Sequence, residues 1–149
     1  MKGPFLEDFE AGQRFETAGK TLAESEILEF ALKYDPQPFH MHATAAEQSI
    51  YGGLIASGIQ TFAVALRMVV QSGLFSASMG SPGVDELRWL KPVRPGDTIR
   101  AVLEVLEVRP SKSKPDRGVV TLKYEAMNQN SEVVMTFRAL QMIRRRGDS

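Results

Sequence analysis

The sequence contains no cysteine. That excludes a disulfide framework, a thiol nucleophile and any cysteine-ligated zinc or iron–sulfur site. Histidine is scarce: there are only two, His40 and His42, with Met41 between them. Neither sign of charge is in excess, since 18 basic side chains balance 18 acidic ones, so no overall field attracts nucleic acid or an anionic membrane. Long apolar runs are also missing. The longest, residues 59–70, is interrupted by Gln60, Thr61 and Arg67, well short of the roughly 18 residues a membrane span needs. The start, MKGPFLEDFEAG, lacks the apolar stretch of a signal peptide. These absences lead us to expect a cytoplasmic protein that binds neither nucleic acid nor membrane. The chain shows no internal repeat and no low-complexity segment. Its 149 residues, 43% of them hydrophobic, suffice for one domain, 1–149, with a real core. The Arg144-Arg145-Arg146 run reads as a solvated end.

Three helices are expected, then strands. Residues 21–34 form an amphipathic pattern in which Ile27, Phe30, Ala31 and Tyr34 share a face. Thr21 and Glu24 are spaced as a capping box, and Pro36 ends the helix at Asp35. Residues 44–50 repeat the same spacing with Thr44 and Glu47, and Gly52-Gly53 ends that helix. Residues 54–57 read as a brief apolar link. Residues 58–72 are apolar nearly all round, with Ile59, Phe62, Ala63, Leu66 and Val70 on one side, which predicts a buried helix. Strands are expected over 84–90, 98–108, 119–127 and 133–143, with an early one near 14–17. On 119–127, Val120, Leu122, Tyr124 and Ala126 share a face. Helices followed by hairpin-linked strands indicate α+β with an antiparallel sheet, curled around the one buried helix. Strand 98–108 carries apolar residues on both faces (Val102, Leu106 and Val108 on the second), which hints at a partner subunit or a cover of loops.

The chemistry gathers in YDPQPFHMHATAAEQSIYGGLIASG, residues 34–58. Asp35 and His40 lie five residues apart in a loop stiffened by Pro36 and Pro38, and a carboxylate with an imidazole is the usual pair for proton transfer near neutral pH. Taken alone, the pair reads more readily as turn and capping residues. Gly58 opens the buried helix, so its N–H is an unsatisfied donor at the positive end of the dipole. It could hold an oxygen gaining negative charge, and a glycine lets a ligand approach. The plainer reading is a helix entry. His40, His42 and Glu47 spell H-x-H-x4-E, similar to the first metal motif of cupins. That fold needs strands here and a third histidine later, and neither is expected. His42 therefore reads as a surface residue, with no metal. Ser57 lacks the G-x-S-x-G setting of a nucleophile, and no phosphate-binding glycine loop is present.

The order of YDPQPFH, then YGGLIASG, then SPGVDELRWLKPVRPGDTI resembles the MaoC-like dehydratases, which include the R-specific enoyl-CoA hydratases. The resemblance runs from about Thr21 to the C-terminus. It implies a hotdog fold, an antiparallel sheet wrapped around a long helix, paired into a homodimer through a continuous sheet. It implies water addition to an enoyl thioester carried by CoA or a carrier protein, without metal or redox cofactor. In that reading Asp35 and His40 activate the water, and the Gly58 N–H binds the thioester oxygen. Two residues depart from the family pattern: Gln37 stands where many members have asparagine, and Ser57 where many have histidine. A hotdog acyl-CoA thioesterase and a non-catalytic acyl-binding module remain alternatives.

Overall fold

The computed structural model describes residues 2–147. Six strands, all antiparallel, build the sheet: β1 (Arg14–Glu16), β2 (Lys20–Thr21), β3 (Ser78–Trp89), β4 (Thr98–Pro110), β5 (Arg117–Met127) and β6 (Val133–Arg144). Their order is β1-β4-β5-β6-β3, with β2 also on β4. Four helices precede β3: α1 (Glu24–Tyr34), α2 (Pro38–Met41), α3 (Ala43–Glu47) and α4 (Gly58–Gln71).

Helix α4 packs its Val64, Ala65 and Val69 into one core with Leu103, Val105, Leu122, Tyr124 and Phe137 of the sheet. Phe62 and Phe137 meet at 4.9 Å, and Phe137 stacks on Tyr124 at 4.2 Å. The alternation of β5 is as expected, with Val120, Leu122, Tyr124 and Ala126 all buried.

Several boundaries moved, each for a physical reason. Thr21 does not cap a helix. It lies in β2, where its hydroxyl bonds that of Thr98 at 2.7 Å. Ala23 precedes α1 instead, and the Glu26 carboxylate accepts the Ala23 N–H at 3.2 Å and the Lys20 ammonium at 2.8 Å. Ile27 and Ala31 are buried, whereas Tyr34 is exposed beside Phe30. Thr44 lies inside α3, which follows His42 and stops at Glu47. Strand β3 starts six residues earlier than expected. Gly80, Pro82 and Gly83 precede the expected strand, and an edge strand with breaks in its register tolerates them.

The two-sided pattern of β4 has a local cause. A bulge between Val105 and Glu107 reverses the alternation, so Val108 pairs with Val120 and packs on the core. Val102, on the other face, is covered by its own chain at 2% exposure. Helix α4 is apolar all round but not buried all round. Ile59, Leu66 and Val70 are 52%, 38% and 59% exposed. Full burial of each such side chain stabilises by about 1.5–3 kcal/mol, which this chain alone does not collect. The arginine run is tied down: Arg146 bonds the Asp8 carboxylate at 2.6 Å, and Arg145 reaches Glu7 at 3.4 Å. Among the described residues, no helix is long and apolar enough to cross a membrane.

Candidate active site

Pro36 and Pro38 break the chain after α1, and Pro38 opens α2 at the position where a missing N–H costs nothing. His40 therefore sits in a one-turn helix rather than in a loop. Its ring is 4% exposed and packs edge-on against Phe39 at 4.6 Å. The link 54–57 runs beneath it, fully buried. The Ile55 N–H donates to the Phe39 carbonyl at 3.1 Å, and the Ala56 N–H to the Val93 carbonyl at 2.8 Å. The PVRPGDT turn thus supports the link from below, since Val93 is itself 3% exposed.

These contacts orient both candidate side chains. His40 Nδ1 lies 2.8 Å from the Ile55 carbonyl oxygen. A carbonyl only accepts, so Nδ1 carries the proton and Nε2 of the neutral ring is the acceptor. Nε2 faces Asp35 Oδ2 at 3.3 Å. That same oxygen accepts the Ser57 hydroxyl at 2.6 Å, and Oδ1 accepts the Gln37 amide at 2.7 Å. The Ser57 hydroxyl, then the Gln37 amide, hold the Asp35 carboxyl below its ordinary range, partly offset by burial. Asp35 is thus an ionised acceptor facing a second acceptor. At 3.3 Å nothing fits between them, so a water that donates one hydrogen to each lies beside the pair, on its cavity side.

Ser57 is the residue that sequence reasoning undervalued. It was weighed as a nucleophile, but it acts as the N-cap of α4. It is wholly buried, accepts the Ile59 N–H at 3.3 Å and donates to Asp35. A serine immediately before a helix is a recognisable cap signal, and the loop's aspartate is its second partner. Gln37 now has a function that sequence could not assign, as the other clamp on Asp35.

Gly58 begins α4 as expected. Its N–H has no hydrogen-bond partner among the described residues. Its Cα, however, is not open on every side, because the Trp89 indole lies against it and Trp89 Nε1 donates to the Gly58 carbonyl at 2.8 Å. Asp35, His40 and Gly58 all line one open cavity of about 520 Å³, completed by Phe39, Tyr51, Ile55, Ile59, Trp89 and Leu90. Gln37, Thr61 and Lys91 add further polar groups to a lining otherwise made of apolar and aromatic side chains, the usual make-up of a small-molecule site. A groove of about 500 Å³ lies at the other end of α4, by Phe15, Ser72 and Leu74, but no histidine lines it.

His42 is exposed, as is Glu47, while His40 is turned inward, so the H-x-H-x4-E residues do not converge. Among the described residues no three histidine or carboxylate side chains are grouped for a metal.

The profile of the MaoC like domain matches residues 8–129. The chain belongs to the MaoC-like dehydratase family. Family membership makes it an enzyme of the hydratase–dehydratase type. Its fold superimposes on the crystal structure of the MaoC-like dehydratase from Rhodospirillum rubrum with a TM-score of 0.91 and 42% identity, covering 98% of this chain and 100% of that one. This also establishes the hotdog fold. The (R)-specific enoyl-CoA hydratase of Rhodospirillum rubrum is 32% identical over 117 residues, 72% of this MaoC-like chain and 74% of the relative. The mesaconyl-CoA hydratase of Cereibacter sphaeroides is 29% identical over 148 residues, which are 97% of this chain but only 42% of that longer enzyme.

Proposed function

We propose that this MaoC-like enzyme adds water across the double bond of an enoyl thioester, giving the (R)-3-hydroxyacyl thioester, and runs the reverse dehydration. The observation that carries this reading is the meeting of His40 Nε2 and Asp35 Oδ2, 3.3 Å apart, beside the unpartnered Gly58 N–H on one cavity wall. The (R)-specific and mesaconyl relatives support the substrate class, an acyl thioester of CoA or a carrier protein.

The water places one hydrogen toward each acceptor. The thioester oxygen rests on the Gly58 N–H at the positive end of α4. As His40 Nε2 takes a proton, the water oxygen bonds to the β-carbon. The double-bond electrons move to the α-carbon and the thioester oxygen, where the Gly58 N–H and helix dipole stabilise the developing charge. The imidazolium is stabilised by the adjacent Asp35 carboxylate and returns its proton to the α-carbon. Water supplies both the hydroxyl and the hydrogen, so the sum balances without a further reactant. Asp35 holds the water and the imidazolium, and Ser57 and Gln37 keep it ionised.

Hydration of crotonyl-CoA, followed together with CoA release, tests the reaction class. Loss of the enoyl absorbance without free thiol is expected. Free thiol without hydration would mean a thioesterase, and tight binding without either would mean an acyl-binding module.

We also propose a homodimer acting in the cytoplasm on such thioesters. The exposed stripe of Ile59, Leu66 and Val70 on α4, and the unpaired edge of β3 with Val84 and Leu90 exposed, support it better than β4 does. Light scattering should give twice the 16.5 kDa chain mass. A stable monomer at micromolar concentration would count against it.

A further inference from the structure

Resting on the proposed role of the Gly58 N–H, we infer that Trp89 is a positioning residue that sets its direction, and that residue 58 is a glycine because the indole occupies the place of its side chain. Gly58 has no positive φ, so its backbone conformation is open to any residue. Nothing conformational demands glycine there. A Cβ built at Gly58 would come within 3.0 Å of three atoms, and all three belong to the Trp89 indole. The three nearest atoms that close the position thus belong to one side chain, and none is backbone.

The indole is itself held at both ends. Trp89 is the last residue of β3 and pairs with Met135 of β6, and the following Leu90 N–H donates to the Val134 carbonyl at 2.8 Å. The ring N–H donates to the Gly58 carbonyl at 2.8 Å. The first turn of α4 is thus clamped on two sides, by the Ser57 cap on Asp35 and by Trp89 on Gly58. The Ser57 side chain aligns the carboxylate with the helix start, and Trp89 stops that start from tilting. The three polar groups of the site keep their spacing through these two clamps. Half of Trp89 remains exposed, at 48%, more than packing alone would favour for the largest apolar side chain.

Trp89 is the one tryptophan of the chain, so its emission reports this contact without any assay of catalysis. Gly58→Ala keeps the N–H but pushes the ring away. It should shift the emission to the red and lower kcat for crotonyl-CoA by about 10²-fold, the usual cost of a displacement of order 1 Å. Adding Trp89→Ala removes the clash, and the double variant should return to the rate of Trp89→Ala alone, about tenfold or more above Gly58→Ala. Trp89→Phe keeps an aromatic ring but loses the pyrrole edge that lies on Gly58, with its N–H. Its kcat should fall about 3–10-fold, the worth of one hydrogen bond, with KM changed less than twofold. A double variant slower than both singles, or an unchanged emission in Gly58→Ala, overturns the inference. A red shift with hydration at the wild-type rate overturns the oxyanion role of Gly58 instead.

Discussion

The site segment 35–58, buried at His40, Ala46 and residues 54–57, and the strand pair β4–β5 are held by different forces. In the strands, a ladder satisfies the backbone, and apolar side chains such as Ile99, Leu103 and Leu122 supply the driving force. In the site segment only the short helices α2 and α3 are regular. Its backbone groups are satisfied one by one: Ile55 N–H by Phe39, Ala56 N–H by Val93, and the Ile55 carbonyl by His40. The strands tolerate no loss of volume, because close-packed interiors relax poorly. The site segment depends instead on single polar contacts, each worth about 0.5–1.5 kcal/mol, so a shape-conserving change there costs little stability. Function and stability are thus separable in this molecule, and substitutions in the two regions should show it.

The largest effects are expected in the site and on rate alone. Asp35→Asn and His40→Gln keep shape while removing proton transfer, so each should lower kcat by about 10²–10⁴-fold with melting temperature little changed. Because both act on one water, the double variant should be little slower than the slower single. Near-wild-type hydration by either single variant would reject the assignment. The opposite pattern is expected in β5. Leu122→Ala, at a fully buried position, should cost about 2–5 kcal/mol in denaturant unfolding and leave kcat per folded molecule within a few-fold. A loss of kcat without a loss of stability would break the separation.

Ser57→Ala lies between the two regions. The folded Asp35 carboxyl is held low, first by the Ser57 hydroxyl. A depressed folded pKa gives stability that is present above the unfolded value and lost as pH falls through the folded one. The variant should therefore cost about 1–2 kcal/mol near pH 7, and this cost should shrink on acidification through the carboxylate range. Denaturant unfolding at about pH 7 and about pH 3 checks the sign; a cost independent of pH would mean that the hydroxyl matters only as an N-cap. The smallest effect is expected from His42→Asn. The side chain is exposed and apart from the cavity lining, so activity should stay within a few-fold of wild type. A large loss accompanied by release of bound metal would restore the cupin-like reading.

Much of the fold could be read directly because it rests on local pattern. The period-two alternation of β5, the apolar run of α4 and the prolines that end α1 each report a local preference that the packing reinforces. The membership of Asp35, His40 and Gly58 in one cavity was legible only through the order of family motifs, since spacing in sequence says little about meeting in space. The errors are equally specific. Thr21 and Thr44 have cap spacing, but Thr21 was taken by the pairing of β2 with β4, and Thr44 lies one residue inside its helix. Val108 changed face because of a bulge that no residue type announces.

The sequence by itself determined where chain direction changes, which strand faces are apolar, and that one short segment holds both imidazoles and a proline-flanked carboxylate. Those follow from side-chain sterics and periodicity, which act within a few residues. Tertiary structure alone decided that Ser57 clamps Asp35 across 22 residues of chain and that Trp89 covers Gly58 from 31 residues away. It also left one stripe of α4 uncovered. Such contacts depend on how the sheet curls and where an edge strand ends, and these are set by the whole core at once.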